Sequence, residues 1–574
     1  MKSESACNEE FDLVIIGSGA AGMAAALTAH ELGLTVAIFE KDAQFGGSTA
    51  VSGGAIWIPD NPKMRAAGMS DSREDALRYI AGEVGNAMNT EVVNAFLKNG
   101  PEMVEFMETH TDLQFEHREY SPDYHPDSPG AAMGGRVLDA RTFDGRLLGD
   151  HFRRLKDPID EFTVLGGMLL NRIDIGHFMN LTRRPTSALH ALRLLARHLR
   201  DRLTYHRGTR LVLGQAVAGR LAYSVLKRNI GIRTGVALDQ LLYKNGRVTG
   251  FAADDGTEFR ARVGVVLATG GFPASQTMRR EVMAHVREGS AHYSMSPKPA
   301  TGDGIRAAQA VGADFRRSNK NAAFWAPVSL IPAQGGHRPF PHLFLDRAKP
   351  GLIAIDNTGR RFVNEASSYH DFVSGMLASG VHEAWLVCDH ANLRKYGFGA
   401  VRPFPASYRP HIRSGYLKRA ASLGELASLC GVPEQALAET VDHYNRDATV
   451  GTDSAFGKGN TAYQTYLGDP DNKPNPCLRP LKAPYYAIRI YPGDIGTSMG
   501  LSVNADAQVL DTDGSAVPGL YACGNDMNSV MGGAYPGAGI TLGPALTFGY
   551  IAGCHAARAA LKLHTRGDDG KRRG

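Results

Sequence analysis

The first forty residues alternate between short apolar runs and small or polar residues in an order that is typical of α/β proteins. Residues 11–16 form a β-branched run that predicts a strand, and residues 36–39 predict a second strand. Residues 24–32, between them, have the composition of a helix. The order strand, tight turn, helix, strand predicts that an α/β domain begins at the N-terminus.

Two apolar runs farther along the chain also end in small residues. Residues 265–272, VVLATGGF, and residues 519–525, GLYACGN, each predict a short strand followed by a glycine turn. Residues 541–562 then predict a helix near the C-terminus. The sequence has no run of eighteen apolar residues and no fixed-period repeat, so we expect neither a membrane-spanning helix nor a repeat architecture.

A different pattern occupies residues 186–203, TSALHALRLLARHLRDRL, where apolar residues recur at helical spacing. The apolar positions are Leu189, Leu192, Leu195, Ala196, Leu199 and Leu203. The arginines at 193, 197, 200 and 202 fall mostly away from that stripe, and Thr186 or Ser187 is expected to cap the helix after Pro185. Two interpretations stay open: a surface helix that packs its leucines on the protein, or a basic amphipathic helix that lies on a membrane.

Composition and charge exclude several classes of protein. The 574 residues carry a net charge of only +5, which is too small to indicate nucleic-acid binding. The six cysteines are scattered without a CxxC pair, which argues against a zinc site, an iron–sulfur cluster or a disulfide framework. The start, MKSESACNEE, has acidic residues and no apolar segment, so we expect no signal peptide and a cytoplasmic location. No HExxH or GxSxG motif is present, and we predict no metal.

The turn after the first predicted strand has the spacing of a dinucleotide-binding motif, GxGxxG. Gly17 would make the turn, Gly19 would let the backbone approach a pyrophosphate, and Gly22 would let the helix pack on the strand. Glu40 ends the second predicted strand and can accept a hydrogen bond from the adenosine ribose. Ala20 and Ala21, between Gly19 and Gly22, are also expected to contact the cofactor, and the start of the following helix has free N–H groups that favour phosphate.

The residues that follow indicate FAD rather than a nicotinamide. Small and hydroxyl residues after Glu40 suit a loop that wraps a longer cofactor: Lys41, Gly47, Ser48, Thr49, Ser52, Gly53 and Gly54. Further cofactor contacts are expected at the ends of the later strands and at the start of the C-terminal helix: Ala268, Thr269, Gly270, Gly524, Asn525, Thr541 and Leu542. A second GxGxxG is absent, so we expect the substrate to reduce the flavin and an outside acceptor to reoxidise it.

These fragments together resemble FAD-dependent oxidoreductases of the fumarate reductase flavoprotein superfamily, and within it the 3-ketosteroid Δ1-dehydrogenases. The resemblance rests on FGGSTAVSGGAIWIP, SPDYHP, RRFVNEASSYHDF, YPGDIGTSMGL and GLYACGNDMNSVMGGAYPGAGITLGPALTFGY. It implies an α/β, Rossmann-like FAD-binding domain built from both chain ends, an α+β catalytic domain, and non-covalent FAD. It also implies desaturation of the A ring of 3-ketosteroids between C1 and C2.

The same resemblance implies four catalytic residues. Tyr535 and the Gly539 N–H would polarise the C3 carbonyl, Tyr369 would take the C2 proton, and Tyr124 would support Tyr369, with the C1 hydride going to FAD. Tyr120, in the same loop as Tyr124, competes for that last assignment. His125, His370 and His555 are expected to be polar surface residues rather than ligands.

Other reactions and other classes stay open. Residues 532–544 contain no charged side chain, whereas fumarate-reducing relatives carry an arginine in that stretch, so an uncharged, apolar substrate is favoured. The alternatives are a related flavoenzyme acting on another apolar ketone or ring bond, such as a 4-ene-forming steroid dehydrogenase or an enone reductase. A lipid-surface protein that keeps FAD for structure is a third hypothesis.

The resemblance also implies a domain division and an inserted segment. We place the FAD-binding domain at 1–328 and 494–574 and the catalytic domain at 329–493. Residues 151–213 look inserted and carry twelve lysines and arginines against five acidic residues. If this segment docks on the inner face of the cytoplasmic membrane, it would help the enzyme collect 3-ketosteroids, including substrates with long side chains. The expected outside electron acceptor is a quinone or an artificial dye.

Overall fold

The computed structural model describes residues 9–182 and 184–571. The first eight residues, on which the expectation of no signal peptide depends, lie outside the described residues, as does Arg183 of the basic segment. One eight-stranded sheet, called here the nucleotide sheet, uses strands from both ends of the chain. Its path runs through Gly231–Thr234, Val36–Glu40, Glu9–Ile16, Glu258–Leu267, Arg247–Ala253 and Leu238–Lys244. Ala516–Ala522 also pairs with Glu258–Leu267, and Gln508–Leu510 pairs with Ala516–Ala522.

The predicted strands of the nucleotide sheet are confirmed. Glu9–Ile16 pairs in parallel with Val36–Glu40 and with Glu258–Leu267, which in turn pairs in parallel with Ala516–Ala522. Their central residues are fully buried, as expected for β-branched strands covered on both faces. Because the strands are parallel, their carboxyl ends meet at one edge of the sheet, where the glycine turns also lie.

Two long helices pack together against this sheet. Ala20–Glu31 begins four residues before the predicted helix, because Ala20 and Ala21 already belong to its first turn. The C-terminal helix, Leu542–Lys571, begins one residue after its predicted start and continues beyond the predicted end at 562. A Cβ on Gly549 would lie 2.4 Å from the Ala21 carbonyl oxygen, so small residues set the close approach of these helices.

A second, seven-stranded sheet belongs to the middle of the chain and is mostly antiparallel. It consists of Gly336–Pro341, Ala323–Ala333, Tyr485–Thr497, Ala384–Asp389 and Leu352–Ile355, with Tyr293–Ser294 and Lys418–Ala420 on Tyr485–Thr497. Both internal boundaries of the predicted domain division fall inside strands of this sheet, at 328 within Ala323–Ala333 and at 493 within Tyr485–Thr497. The division itself stays a prediction.

The remaining elements surround these two sheets. The other helices are Gly47–Val51, Pro62–Ala66, Arg73–Val84, Thr90–His110, Arg172–Met179, Pro185–Asp201, Leu213–Lys227, Gln276–Val282, Ala284–Arg287, Asp303–Ala310, Tyr369–Ala378, His390–Tyr396, Arg409–Arg413, Leu423–Cys430, Glu434–Val450 and Ala462–Leu467. Short strands are Ala55–Trp57, Phe115–His117, Val137–Ala140, Phe143–Asp144, Thr163–Val164, Met168–Leu169, Arg210–Leu211, Phe315–Arg316 and Gly500–Leu501. Short 3-10 helices are Gly85–Ala87, Gly145–Arg154, Asp160–Phe162 and Gly524–Asp526. None of the helices described here has the length and apolar character needed to cross a membrane.

The basic segment contains the predicted amphipathic helix at Pro185–Asp201, called here the outer helix. Its start differs from the prediction: Arg184 is the N-cap residue and no side chain caps it, so the expected cap at Thr186 or Ser187 is wrong. The Pro185 ring at the first helical position explains this start, because it lacks the N–H that a cap would satisfy.

The outer helix turns its leucine stripe away from the protein. Leu192, Leu199 and Leu203 are 62%, 68% and 86% exposed, whereas Ala191 and His198 are buried. The interpretation in which the leucines pack on the protein is therefore wrong. Arg193 and Arg200 are exposed on the same helix and Arg202 is exposed directly after it, while Arg197 turns inward to Asp144 and Asp201 at 3.3 and 3.9 Å.

Candidate active site

The glycine turn after the first strand is held by close backbone contacts on one side and is open on the other. Gly17 has φ +108°, and a Cβ there would lie 2.1 Å from the Ala268 carbonyl oxygen. A Cβ on Gly22 would lie 2.0 Å from the Gly17 carbonyl oxygen, which explains the need for glycine at both positions. A Cβ on Gly19 would approach nothing nearer than the Thr49 hydroxyl at 3.7 Å. The space at Gly19 fits a pyrophosphate that rests against backbone.

The loop after the second strand supports this turn from the side. The Thr49 hydroxyl, on the helix Gly47–Val51, accepts a hydrogen bond from the Ala20 N–H at 2.9 Å. The Ser52 hydroxyl donates to the Thr49 carbonyl oxygen at 2.8 Å, which fixes the end of the same helix. Gly53 has open space where a side chain would stand. Ser48 is half-buried, and Gly54 packs against the backbone of residues 213 and 214.

Glu40 lies at the end of its strand, as predicted for a ribose-binding acid. Its carboxylate accepts hydrogen bonds from the Ser18 N–H and hydroxyl at 3.0 and 2.6 Å and from the Asp42 N–H at 2.9 Å. The carboxylate is therefore locked beside the glycine turn. Lys41 points elsewhere, because its ammonium pairs with Asp303 at 2.6 Å.

Asp526 joins the two later glycine turns, and sequence reasoning missed it. Its buried carboxylate accepts from the Thr269 N–H, from the Thr269 hydroxyl at 2.9 Å and from the Gly271 N–H at 2.8 Å. Burial raises its pKa to about 6, although these hydrogen bonds oppose the rise. Asp526 thereby holds two glycine turns together, one at Ala268, Thr269 and Gly270 and the other at Gly524 and Asn525. Its position directly after the Gly524–Asn525 turn is visible in the sequence, but its partners Thr269 and Gly271 lie more than 250 residues away and no local pattern points to them.

We expect Asp526→Asn to weaken FAD retention. The carboxylate now accepts hydrogen bonds from N–H and O–H groups, and the asparagine NH₂ group would point its own two N–H donors at those same donors. A buried donor left without an acceptor costs about 1–3 kcal/mol. Because 1.4 kcal/mol is tenfold in affinity, FAD binding should weaken by about 5- to 150-fold. Dialysis of the purified protein against buffer, followed by flavin absorbance, measures this. Asp513→Asn, at an exposed turn, is the matched control, and equal FAD retention in the two variants would contradict the assigned role.

A cleft lies beside these turns, at the start of the C-terminal helix. The residues that line it are Phe324, Thr497, Gly524, Asn525, Met527, Ser529, Val530, Ile540, Thr541, Pro544 and Ala545. None of these carries a charge. The predicted cofactor residues Thr541 and Asn525 therefore share one cleft, next to Leu542, which begins the helix. Open glycines, a helix start and an uncharged cleft fit the phosphates and the flat ring of FAD.

Three predicted tyrosines meet in one buried cluster, called here the tyrosine cluster. The Tyr124 hydroxyl donates to the Tyr369 hydroxyl at 3.1 Å. The Tyr535 ring stacks on Tyr124 with centroids 5.6 Å apart and meets the edge of Tyr369 at 5.1 Å. Tyr120 is 49% exposed and lies outside the cluster against Tyr466. The structure thus brings Tyr124, and not Tyr120, to the other two.

The backbone explains how the tyrosine cluster is held. The Pro536 carbonyl oxygen, next to Tyr535, accepts from the Tyr124 N–H at 2.9 Å and from the Tyr79 hydroxyl at 2.7 Å. Tyr369 is the first residue of the helix Tyr369–Ala378, which Ser368 caps. The positive end of that helix lies at Tyr369, where it favours negative charge.

Burial makes all three phenols hard to ionise. It raises the pKa of Tyr535 to about 12 and, together with the neighbouring phenols, holds the pKa values of Tyr369 and Tyr124 well above their usual range. A phenolate in this cluster therefore needs stabilisation from its neighbours. The neutral form of Tyr535 is the form that can donate a hydrogen bond.

Two histidines next to the tyrosine cluster were missed as functional residues. His125 lies between Glu83 and Asp371, at 2.5 and 2.9 Å, and although burial opposes it, these carboxylates raise its pKa to about 10. His125 thus ties the Tyr124 loop to the Tyr369 helix. His370 is buried, and burial lowers its pKa to about 4. The expectation of a surface position is wrong for His370, whereas the His125 side chain is 36% exposed. The contacts of both were missed because their partners are distant in sequence.

Gly539 combines a required glycine with a free N–H. Its φ is +97°, and a Cβ would lie 2.6 Å from the Ile56 carbonyl carbon. Its carbonyl oxygen accepts from the Trp57 and Gly543 N–H groups at 3.2 and 2.9 Å. The Gly539 N–H has no hydrogen-bond partner among the described residues. It is available as a donor four residues after Tyr535.

Comparisons with known proteins show the family of this chain. The family model "FAD binding domain" matches residues 12–542. A 4-oxocyclohex-2-ene-1-carboxylate 5-dehydrogenase of Sinomonas cyclohexanicum is 38% identical over 96% of this chain and 94% of its own length. A 3-oxosteroid 1-dehydrogenase of Mycobacterium tuberculosis is 35% identical over 96% of this chain and 99% of its own length.

A solved structure agrees as well. The 3-ketosteroid Δ1-dehydrogenase of Sterolibacterium denitrificans, in complex with 1,4-androstadiene-3,17-dione, superposes with a TM-score of 0.89 at 36% identity, covering 96% of this chain and all of that one. These matches confirm the α/β fold with its FAD-binding domain and confirm FAD as the cofactor. The chain therefore belongs to the FAD-binding-domain family of oxidoreductases, in the group that contains the 3-oxosteroid 1-dehydrogenases.

Proposed function

We propose that this enzyme desaturates the A ring of 3-ketosteroids between C1 and C2, turning a 4-en-3-one into a 1,4-dien-3-one. The observation that carries the proposal is the buried tyrosine cluster, in which the Tyr124 and Tyr369 hydroxyls are 3.1 Å apart and Tyr535 stacks on Tyr124 and meets the edge of Tyr369. Four residues after Tyr535, the Gly539 N–H has no hydrogen-bond partner among the described residues. The names of the relatives at 35% and 36% identity support the substrate class.

Two uncharged donors activate the ketone in this proposal. The Tyr535 hydroxyl and the Gly539 N–H donate to the C3 oxygen and stabilise the negative charge that develops there as the C2 proton leaves. Both donors are neutral, so an apolar substrate binds without burying an unpaired charge. The close fit of Gly539 against Ile56 holds its N–H in a fixed position.

Tyr369 takes the C2 proton. An ordinary phenol has a pKa near 10 and is a poor base at neutral pH. The hydrogen bond that Tyr124 donates to Tyr369, together with the helix start at Tyr369, stabilises the phenolate. Bound FAD supplies the two-electron acceptor. An outside acceptor, a quinone or an artificial dye, then takes the electrons.

A smaller ring ketone is the second candidate substrate, because the relative at 38% identity is named for a cyclohexenone carboxylate. The same three tyrosines could polarise its ketone. A carboxylate, however, calls for a cation beside the reacting ketone, and the stretch that carries Tyr535 and Gly539, residues 532–544, contains no charged side chain. This favours the steroid.

The test is a dye-reduction assay on the purified flavoprotein. A short 4-ene-3-ketosteroid, cholest-4-en-3-one and 4-oxocyclohex-2-ene-1-carboxylate are compared as substrates, with identification of each product. Turnover of a steroid to its 1,4-dien-3-one supports the proposal. Turnover of the carboxylate alone would assign the second candidate, and a saturated or 4-ene product would indicate an enone reductase or a 4-ene-forming enzyme.

We also propose that the outer helix contacts the inner face of the cytoplasmic membrane. Its leucine stripe is exposed, and further apolar side chains of the same segment are exposed near it in sequence: Leu165, Ile173 and Leu181. Exposed arginines at 193 and 200 lie on the same helix, and the exposed Arg202 follows its last residue. Apolar residues flanked by arginines are what an interfacial helix presents to anionic lipid. Such contact would give the enzyme access to ketosteroids dissolved in lipid.

We expect the double variant Leu192→Glu, Leu199→Glu to lose binding to anionic lipid vesicles. Both side chains are exposed, so the fold should be unaffected, while two carboxylates oppose insertion and are repelled by the lipid charge. Cosedimentation with phosphatidylglycerol vesicles measures the bound fraction. Val450→Glu, at an equally exposed apolar position elsewhere, is the control. Equal sedimentation of the double variant and the wild type would contradict the proposal.

A further inference from the structure

Arg347 is a buried guanidinium attached to the loop that leads into Tyr369. It is 1% exposed. Its Nη1 donates to the carbonyl oxygens of Glu365 and Ser367 at 2.9 and 3.1 Å, and its Nε and Nη2 donate to those of His342 and Leu343 at 2.8 and 2.6 Å. The guanidinium carbon also lies 5.1 Å from the centroid of Phe372, in the first turn of the Tyr369 helix.

The charge of Arg347 is not taken up by a direct ion pair. No carboxylate lies within 4 Å of its guanidinium in the part of the chain that the structure describes. The adjacent Asp346 instead binds the His342 ring at 2.5 Å and accepts from the Gly399 N–H at 3.4 Å. A buried cation held by carbonyl oxygens alone is costly, so a further negative charge near it would be stabilising. The two carbonyl oxygens that accept from its Nη1, those of Glu365 and Ser367, lie four and two residues before Tyr369 in the chain.

We propose that Arg347 is a positioning residue that stabilises the phenolate of Tyr369, by holding residues 365–367 and by keeping a fixed positive charge near the tyrosine cluster. This inference rests on the proposed function, in which Tyr369 is the base. Loss of the C2 proton to Tyr369 leaves that phenol neutral, and release of the proton restores the phenolate that the guanidinium favours.

The other charged or titratable groups around Tyr369 do not supply this charge. Tyr124 and Tyr535, the side chains that face Tyr369, are phenols, and so is Tyr463, which packs on Tyr124. On the Tyr369 helix, Asp371 is paired with His125, and His125 is shared with a second carboxylate, Glu83. This trio carries no net positive charge even when the imidazole is protonated. His370, with its pKa lowered by burial, is neutral.

Two variants separate the charge of Arg347 from its hydrogen bonds. Arg347→Lys keeps the charge and loses the fork that binds several carbonyl oxygens. Arg347→Gln keeps an N–H donor for the loop and loses the charge. Each of the two variants is made once with Tyr369 and once with the additional change Tyr369→Phe. Both holoproteins are titrated with alkali while phenolate absorbance is recorded, and the difference between the two curves gives the titration of Tyr369 alone. The pH profile of steroid turnover is measured in parallel.

We expect Arg347→Gln to raise the titration midpoint of Tyr369 by about one to two pH units, and turnover at pH 7 to fall about 10- to 100-fold. Turnover of Arg347→Gln should recover as the pH rises, and Arg347→Lys should keep the wild-type midpoint. A Tyr369 midpoint unchanged in Arg347→Gln, with turnover reduced equally at every pH, would overturn the proposal.

If Arg347→Gln does not retain FAD, the Arg347→Lys variant decides. A Tyr369 titration midpoint equal to that of the wild type supports a role for the charge of Arg347, and a midpoint raised by about one pH unit or more overturns that role. The titration needs no turnover. A wild type that is inactive on every ketosteroid would therefore refute the proposed function, and the Tyr369 titration would still decide the role of Arg347.

Discussion

Tyr369→Phe is expected to lower the turnover of a 4-ene-3-ketosteroid by about 10²- to 10⁴-fold, which is the usual contribution of a general base. The change removes the hydroxyl that accepts from Tyr124 at 3.1 Å and leaves the ring in place. FAD content should be unchanged, because the cofactor turns lie on the nucleotide sheet. Steady-state dye reduction with flavin-normalised enzyme measures the effect.

A matched control for this variant is Tyr444→Phe. Tyr444 is as buried as Tyr369 but belongs to a separate cluster of apolar residues in the middle of the chain. Its turnover should equal that of the wild type. If Tyr369→Phe also kept wild-type turnover, Tyr369 would not be the base.

Tyr535→Phe should lower turnover by about 10²- to 10³-fold, the loss typical of one oxyanion donor. The loss should appear mainly in kcat rather than KM, because the hydrogen bond to the C3 oxygen strengthens as charge develops. The ring still stacks on Tyr124, so substrate binding and bound flavin should be kept. Turnover over a range of substrate concentrations separates the two parameters.

A second donor sharpens this test. Gly539→Ala is expected to be at least as damaging, since its Cβ would meet the backbone of Ile56 at 2.6 Å and displace the N–H. A Tyr535→Phe enzyme with full kcat would remove Tyr535 from the mechanism, whatever the result at Gly539.

The cofactor side of the molecule could be predicted from the sequence because its signals are local. The glycine turn, its flanking strands and Glu40 lie within one short segment, and each has a separate mechanical reason for its residue type. The later strands were also predictable, as apolar runs that end in glycine. Asp526 was not, because its partners Thr269 and Gly271 are more than 250 residues away.

The tyrosine cluster could be assigned only through resemblance to a family. Tyr124 and Tyr369 are 245 residues apart, and no spacing rule joins them. The choice between Tyr124 and Tyr120 required coordinates, since both occupy one loop. The contacts of His125 with Glu83 and Asp371, and the role of Arg347, were missed for the same reason. Contacts between segments that are distant in sequence produce no periodic pattern along the chain.

The outer helix shows what periodicity can and cannot establish. The leucine spacing predicted a helix over 186–203, and the structure has one at Pro185–Asp201. The pattern could not say which face is covered, because an apolar stripe suits a protein surface and a membrane equally. The buried side is formed instead by small and polar residues such as Ala191, His198 and Asp201, the last bonded to Thr209.

The most direct measurement is an anaerobic mixing experiment with purified holoprotein, a 4-ene-3-ketosteroid and no electron acceptor. Oxidation of the steroid by the protein's own flavin predicts loss of the visible flavin absorbance and formation of one 1,4-dien-3-one per flavin. The same mixture with Tyr369→Phe should stay yellow over the time in which the wild type bleaches. A wild-type flavin that remains oxidised, with no 1,4-dien-3-one formed, would contradict the assignment as a ketosteroid Δ1-dehydrogenase.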